Sequence, residues 1–428
     1  MAGDVFIPGR RLRVRVEKLV WGGDGLARVN GAVCFIPGVA PGDVAEVRIT
    51  SVNKSFLRAD LLRVLEPAPG RREPPCPYFG TCGGCSLQQL TYDAQTAAKQ
   101  EMVEDALRLL LKSQDLFPAP LIPSPREFGY RIRTRLHVKR LHRGSVLGFY
   151  EARSRRIVDV ASCLLLPPAL DGALSTLREC IPASGEVLLA LDQETGSLCV
   201  AVNHNATEPG DPEALLNALR SAGLPVMGVA LRSPRAMHSA GGTILRYTID
   251  GLRFTAPIDG FMQVNQAMLA ALQRTVLEYL SPHPDECILD LYAGSGFFSL
   301  PAARSGAGIT AVEYSLVSVE QGRLAAESAG LDKVRFVSQR AEDYLPESEF
   351  CDAVILDPPR QGAAPEVLSG LLDMAPGRIV FVSCEPVLMA RDLTILVKGG
   401  YRLRAIQPLD MFPQTIHVEC VALLEKTH

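Results

Sequence analysis

Ile288-Leu289-Asp290-Leu291-Tyr292-Ala293-Gly294-Ser295-Gly296 is an apolar run that breaks into a glycine pair before a second apolar stretch. That is the pattern of a buried strand, a tight loop and the start of a helix. The two glycines let main chain approach a ligand closely. A dinucleotide fingerprint would carry a third glycine at position 299, and that residue is Ser299. A nucleoside with an amino-acid tail, S-adenosylmethionine, is therefore the better guest. Glu313 ends the next strand nineteen residues after Gly294, where a carboxylate can accept both ribose hydroxyls.

Outward from this stretch, strands are expected at Ile288–Leu291, Gly308–Val312, Val334–Val337, Ala353–Leu356 and Ile379–Val382, with helices at Ser315–Ala329, Pro365–Met374 and Met389–Val397. This is the rhythm of a doubly wound α/β sheet, whose ligands bind beyond the carboxyl ends of the strands. Two motifs fall there. Asp357-Pro358-Pro359-Arg360 ends the fourth strand, and Val380-Phe381-Val382-Ser383-Cys384-Glu385-Pro386 delivers a thiol to the end of the fifth. A lone cysteine there would be a small buried hydrophobe; beside these motifs Cys384 reads as a nucleophile. Asp-Pro-Pro followed by an aromatic holds a base amino group, but the next residue here is Arg360, which suits a phosphate. Upstream, Phe261-Met262-Gln263-Val264-Asn265 precedes a helix from Gln266 to Leu280. Near the C-terminus, Met411-Phe412-Pro413-Gln414-Thr415-Ile416-His417-Val418-Glu419 enters the last strand. A carboxylate among Val418, Cys420 and Val421 is costly unless it is used. His417 reads as a satisfied histidine at a strand start.

The chain has 428 residues and a formal charge of −3, enough for two or three domains and not a surface coated in positive charge. No apolar run is long enough to span a bilayer, and MAGDVFIPGRRLR lacks a signal-peptide core, so a cytoplasmic protein is expected. Residues 8 to 66 are expected to form an all-β barrel of the OB kind, ended by the linker Glu66-Pro67-Ala68-Pro69-Gly70. Asp93 to Lys112 has helical periodicity; residues 126 to 252 read as strands and turns with one helix at Pro212–Ala222. From Arg126 to Arg156, ten basic residues stand against two acidic ones, with Phe128, Tyr130, Phe149 and Tyr150 between them. Cations pair with phosphates and rings stack on bases, so this window points to RNA, the plain alternative being a solvated strand face. Of eleven cysteines, three form a knot, Cys76-Pro-Tyr-Phe-Gly-Thr-Cys82-Gly-Gly-Cys85. In a reducing compartment such a knot binds metal rather than forming disulfides. Thiolate ligation suits zinc or an iron–sulfur cluster alike. The five-residue first gap differs from the C-x3-C-x2-C of radical enzymes.

Taken together, F-x-Q-V-N, D-L-Y-x-G-x-G, D-P-P-R-x-G, S-C-x-P and F-P-x-T-x-H-V-E, spread from 261 to 419, resemble the RNA uracil-C5 methyltransferase family, and the N-terminal barrel resembles a TRAM domain. The resemblance implies a Rossmann-like class I methyltransferase domain at 92–120 and 253–428, a TRAM barrel at 1–68, and a β-rich central domain at 69–91 and 121–252. It implies Cys384 as nucleophile and Glu419 as base. It also implies Gln263, Tyr292, Glu313 and Asp357, beside Asp290 and Gly294, as the holders of S-adenosylmethionine. Cys163 matches the fourth ligand of a [4Fe–4S] cluster with Cys76, Cys82 and Cys85. The expected partner is RNA, a uridine in a loop of ribosomal RNA before transfer RNA, with no membrane and a monomeric state. The chain departs from the family pattern at Phe297, Arg340 and Glu385. Two other readings are purine amino-methylation through Asp357-Pro358-Pro359 and a non-catalytic RNA-binding scaffold.

Overall fold

The structure, a computed structural model, describes residues 6–181, 183–205 and 210–427. The first five residues of the N-terminal stretch read above lie outside the described residues. The chain divides into two compact units, one from Met1–Asp105, Tyr150–Arg156 and Phe412–His417, the other from Ala106–Phe149, Ile157–Met411 and Val418–His428.

In the first unit, strands β1 (Arg11–Leu19), β2 (Gly25–Val29), β3 (Ala32–Ile36), β4 (Val44–Val52) and β5 (Phe56–Glu66) close into a barrel of order β1-β2-β3-β5-β4. Alternate residues such as Val14, Val16, Val47 and Ile49 point inward, as a two-residue period requires. Register shifts in β1 and between β4 and β5 bend the strands enough to close the sheet. The linker after β5 does not hang free. Asp43, fully buried, accepts from the Ala40 and Ala68 amides at 2.7 and 2.9 Å and from Arg71 Nη1 at 2.6 Å. Helix α1 (Tyr92–Gln114) follows. Its buried Lys99 donates to the Phe412 carbonyl at 2.9 Å, and Gln95 exchanges two hydrogen bonds of 3.0 Å with Gln414.

The second unit holds two large sheets. One comprises β6 (Arg133–Arg140), β7 (Ser145–Tyr150, whose last residue falls in the first unit), β8 (Ile157–Asp159), β9 (Gly185–Leu191), β10 (Leu198–His204), β11 (Val226–Arg232) and β12 (Met237–Gly241), ordered β12-β11-β10-β9-β6-β7-β8. Helices α2 (Pro168–Asp171), α3 (Leu174–Cys180) and α4 (Pro212–Ser221) accompany it. In α4 the N-cap Asp211 accepts from the Glu213 and Ala214 amides, and Leu215, Leu216 and Leu219 are buried. A hairpin, β13 (Ile244–Ile249) and β14 (Leu252–Pro257), leads on.

The last sheet has β15 (Cys287–Leu291), β16 (Gly308–Glu313), β17 (Val334–Ser338), β18 (Ala353–Leu356), β19 (Arg378–Ser383), β20 (Tyr401–Leu409) and β21 (Glu419–Lys426), ordered β17-β16-β15-β18-β19-β21-β20. The first five are parallel; β21 runs antiparallel to both β19 and β20. Helices α5 (Leu269–Leu280), α6 (Ser299–Ala303), α7 (Leu316–Ser328), α8 (Ala341–Tyr344), α9 (Pro365–Met374) and α10 (Pro386–Lys398) flank it. Ala353–Leu356 and Ile379–Val382 are wholly buried, because helices on both faces turn each parallel strand into a continuous apolar run.

The basic window is partly consumed by the fold. Tyr130 is buried, so it is not a platform for bases. Arg133 donates to the Ile258 carbonyl at 2.7 Å and also to the Gly260 carbonyl, and burial brings its guanidinium down to about 10. Arg135 pairs with Glu186 and Arg156 with Glu151. Lys139, Arg140 and Arg143 stay exposed.

Candidate active site

Beyond the carboxyl edge of β15 the chain turns sharply. Tyr292, Gly294 and Gly296 take φ of 63°, 56° and 88°. A Cβ on Gly296 would stand 2.8 Å from Phe336 Cζ, so both conformation and space demand glycine there. The Gly294 amide donates to Glu313 Oε2 at 3.1 Å and the Ser315 amide to Oε1 at 2.9 Å. Glu313 is thus fixed at the end of β16 with lone pairs left over for hydroxyl donors. Ser299, noticed in the sequence only as a missing glycine, has its own use: its hydroxyl donates to the buried Asp290 Oδ2 at 2.5 Å. Asp290 Oδ1 has no partner among the described residues, and burial pushes this carboxyl up to about 7. The Tyr292 hydroxyl donates to Glu342 Oε1 at 3.3 Å. Gln263 is buried in the extended segment before Asn265, where the Val264 carbonyl accepts from the Ile132 amide at 3.0 Å.

Strand register joins the nucleophile and base candidates. β19 and β21 are antiparallel with Ser383 opposite Cys420. Cys384 directly follows Ser383 and Glu419 directly precedes Cys420, so both stand at the same end of this strand pair, near enough for the Glu419 charge to act on the thiol. Glu419 also faces Leu409 of β20. Asp357 lies one residue past β18, beside Tyr292: its amide reaches the Leu291 carbonyl at 3.5 Å. Cys384 is half-buried, while Glu419 is 3% exposed.

Burial, then the Glu419 carboxylate, pushes the Cys384 thiol up to about 12, with Arg360 pulling the other way. Burial likewise carries the Glu419 carboxyl up to about 7 against the pull of Arg360. Burial, then Glu419 and Asp290, holds Asp357 well above the usual carboxylate range. Several acids crowd one poorly solvated spot, with Arg360 acting on Cys384 and Glu419, an arrangement characteristic of functional sites. Neighbouring Cys420 is wholly buried, and burial pushes its thiol up as well, which makes it inert. Arg360, which suits a phosphate by sequence, also acts by its charge on Cys384 and Glu419.

The knot cysteines Cys76, Cys82 and Cys85 lie in the first unit and Cys163 in the second. Among the described residues no group of three or more His, Cys, Asp or Glu is gathered as a metal site. Within the knot the Gly84 amide donates to Cys82 Sγ at 3.4 Å, and the Gly83 amide donates to the Tyr150 carbonyl at 2.9 Å. An added Cβ on Gly83 would stand 2.9 Å from that oxygen. Burial raises the Cys82 thiol, and Cys76 adds to the rise. The donor chemistry of the knot therefore fits a cation, which would favour the thiolate form that burial disfavours.

Comparison with known proteins accords with this geometry. The tRNA (Uracil-5-)-methyltransferase family matches residues 245–427 and the TRAM domain residues 6–62. The 23S rRNA (uracil(1939)-C(5))-methyltransferase of Dechloromonas aromatica is 36% identical over 96% of this chain and 99% of its own. An uncharacterized RNA methyltransferase of Gloeobacter violaceus is 34% identical over 99% and 98%. The crystal structure of the Pyrococcus abyssi tRNA (uracil-54, C5)-methyltransferase with S-adenosyl-L-homocysteine superposes with a TM-score of 0.74 at 26% identity, covering 96% of this chain and all of that one. The parallel sheet with its glycine loop, preceded by a closed N-terminal barrel, is thus the class I methyltransferase fold with a TRAM domain, and the chain belongs to the S-adenosylmethionine-dependent RNA uracil-5-methyltransferase family.

Proposed function

We propose that this enzyme methylates carbon-5 of a uridine in a loop of ribosomal RNA through a covalent bond between Cys384 and carbon-6 of the base. The observation that carries the proposal is the β19–β21 pairing, whose last pair, Ser383 with Cys420, leaves Cys384 and Glu419 at the same end of the sheet. Carbon-5 of uracil is too weak a nucleophile to act unaided. When Cys384 Sγ bonds to carbon-6, its proton leaves to solvent and the ring electrons move to carbon-5 as an enolate. S-adenosylmethionine supplies a methyl on a positive sulfur, and carbon-5 takes it as the sulfur–methyl bond breaks. Glu419 then removes the carbon-5 proton, the carbon-5–carbon-6 double bond returns, and the Cys384 thiolate leaves. Burial suits Glu419 to that step, since a carboxylate held near 7 is a stronger base than an exposed one. Gln263, Tyr292, Glu313, Asp357, Asp290 and Gly294 hold the cofactor, and the target base leaves its stack to enter.

The ribosomal choice follows the curated relatives at about a third identity, whose printed substrate is 23S rRNA. Labour divides along the sequence: the barrel at 1–68 and the central part at 69–91 and 121–252 engage RNA, while 92–120 and 253–428 perform the chemistry. Cys76, Cys82, Cys85 and Cys163 hold a [4Fe–4S] cluster that braces the RNA-binding part; family resemblance and thiol chemistry support it. The protein works in the cytoplasm as a monomer; no helix among the described residues is long and apolar enough to cross a membrane. Purine amino-methylation would leave Cys384 and Glu419 without a role. Incubation with labelled cofactor and total RNA, followed by nucleoside digestion, is expected to yield 5-methyluridine; a methylated purine or no product would overturn the reading.

A further inference from the structure

Asn265, at the end of the F-x-Q-V-N stretch, has no role in the chemistry above, yet it is wholly buried. Its Nδ2 donates to the Met411 carbonyl at 3.2 Å and to Ser124 Oγ at 3.1 Å, while Oδ1 has no partner among the described residues. The amide orientation is decided by the Met411 carbonyl, which only a donor can meet. Three stretches of chain converge on this one side chain. Asn265 is bridged on its main chain to Arg131. Ile122 and the exit of β20 exchange two main-chain bonds, Ile122 amide to Pro408 carbonyl and Asp410 amide to Ile122 carbonyl, each 2.9 Å. Leu409, inside that grip, is the strand partner of Glu419. On the other side, Asn265 is two residues from Gln263.

We propose that Asn265 is a positioning residue for Glu419: by holding the main chain two residues past Leu409, it fixes where the start of β21 presents its carboxylate. The inference rests on the assignment of Glu419 as base. Alanine at 265 leaves the Met411 carbonyl without its donor, and an isosteric Asp sets an acceptor against that carbonyl. Either change frees the exit of β20 while leaving Cys384, the residue after β19, and the glycine loop in place. Removal of the carbon-5 proton is the step that depends on Glu419, so it is the step that should slow.

The test compares Asn265→Ala and Asn265→Asp with the wild type on RNA carrying uridine or 5-fluorouridine. Carbon-5 of the fluorinated base bears no proton, so Cys384 attack and methyl transfer trap a covalent complex without any base. Turnover on uridine RNA is expected to fall about 10–100-fold, the scale of a misplacement near 1 Å. Covalent complex should then accumulate on uridine RNA in denaturing gels, while trapping on the fluorinated RNA and cofactor affinity stay at wild-type values. Parallel loss of turnover and trapping would reduce Asn265 to scaffold, and undiminished turnover would also overturn the proposal. If Asn265→Ala does not fold, Asn265→Asp, which keeps the volume and loses the donors, decides by the same readouts. Glu419→Gln runs alongside: if it accumulates complex and the Asn265 variants do not, the positioning fails and the base stands. If Glu419→Gln turns over normally, both fall.

Discussion

Replacing Glu419 with Gln should make the enzyme inactive and more stable. The carboxyl is 3% exposed and is raised from an ordinary 4.5 to about 7. A carboxyl raised on folding binds its proton more tightly in the native state, so native stability is undiminished below pH 4.5 and declines as pH climbs through the window up to about 7. Above that the loss is complete. At about 1.4 kcal/mol per pH unit, ionising Glu419 costs roughly 3 kcal/mol at pH 8 and under about 1 kcal/mol at pH 5. Glutamine keeps the size and carries no charge. Urea denaturation of the two proteins should therefore show Glu419→Gln more stable at pH 8 by roughly 3 kcal/mol, with the gap closing toward pH 5. Taking the difference between the two proteins cancels Asp290, which burial raises to about 7 in both; removing the Glu419 charge also eases the rise of Asp357, which adds to the gap. The variant should also accumulate a covalent protein–RNA complex. Equal stability of the two proteins at pH 8, or normal turnover by the variant, would refute the reasoning.

Cys384→Ala should abolish turnover and covalent complex while leaving S-adenosylmethionine affinity within a few-fold, measured by calorimetry; methylation by this variant would end the scheme. Turnover of the wild type should rise with pH through about 7 as Glu419 ionises, read from a single-turnover pH profile; a flat profile from pH 6 to 8 would exclude that carboxylate as the base. Gly296→Ala should weaken cofactor binding and cost at least about 1 kcal/mol of stability, because a side chain is strained at positive φ and meets Phe336. Anaerobically prepared protein should be brown, and Cys82→Ser should lose the colour together with iron; stoichiometric zinc would refute the cluster.

The parallel sheet was legible because strands buried on both faces are unbroken apolar runs, as at Ala353–Leu356 and Ile379–Val382. Pro365–Met374 was legible for the same kind of reason, its apolar positions recurring at helical spacing behind a proline. Less could be read where pairing joins residues far apart in sequence. The order of the central sheet depends on partners such as β6 and β9 that no local pattern announces. Tyr130 was given to RNA because a ring among arginines resembles a stacking surface; only packing shows it inside. At the site, Cys384 and Glu419 were visible as chemistry out of place in apolar strands. That they are neighbours depends on an antiparallel register, and the service of Ser299 to Asp290 and of Asn265 to Met411 is a matter of distance, which a string of letters does not encode.

The loop between β20 and β21 leaves its own sheet: Phe412–His417 belongs to the barrel unit, where Lys99 and Gln95 satisfy its polar groups. Cutting the gene at about residue 105 to express the methyl-transferring half alone would strip that hexapeptide of every one of those contacts. Each interior carbonyl or amide so orphaned costs on the order of 1–3 kcal/mol, two residues from the buried Glu419. The two halves are consequently poor candidates for swapping between enzymes like interchangeable cassettes, and a hybrid stands a chance only if α1 and the 412–417 loop travel together.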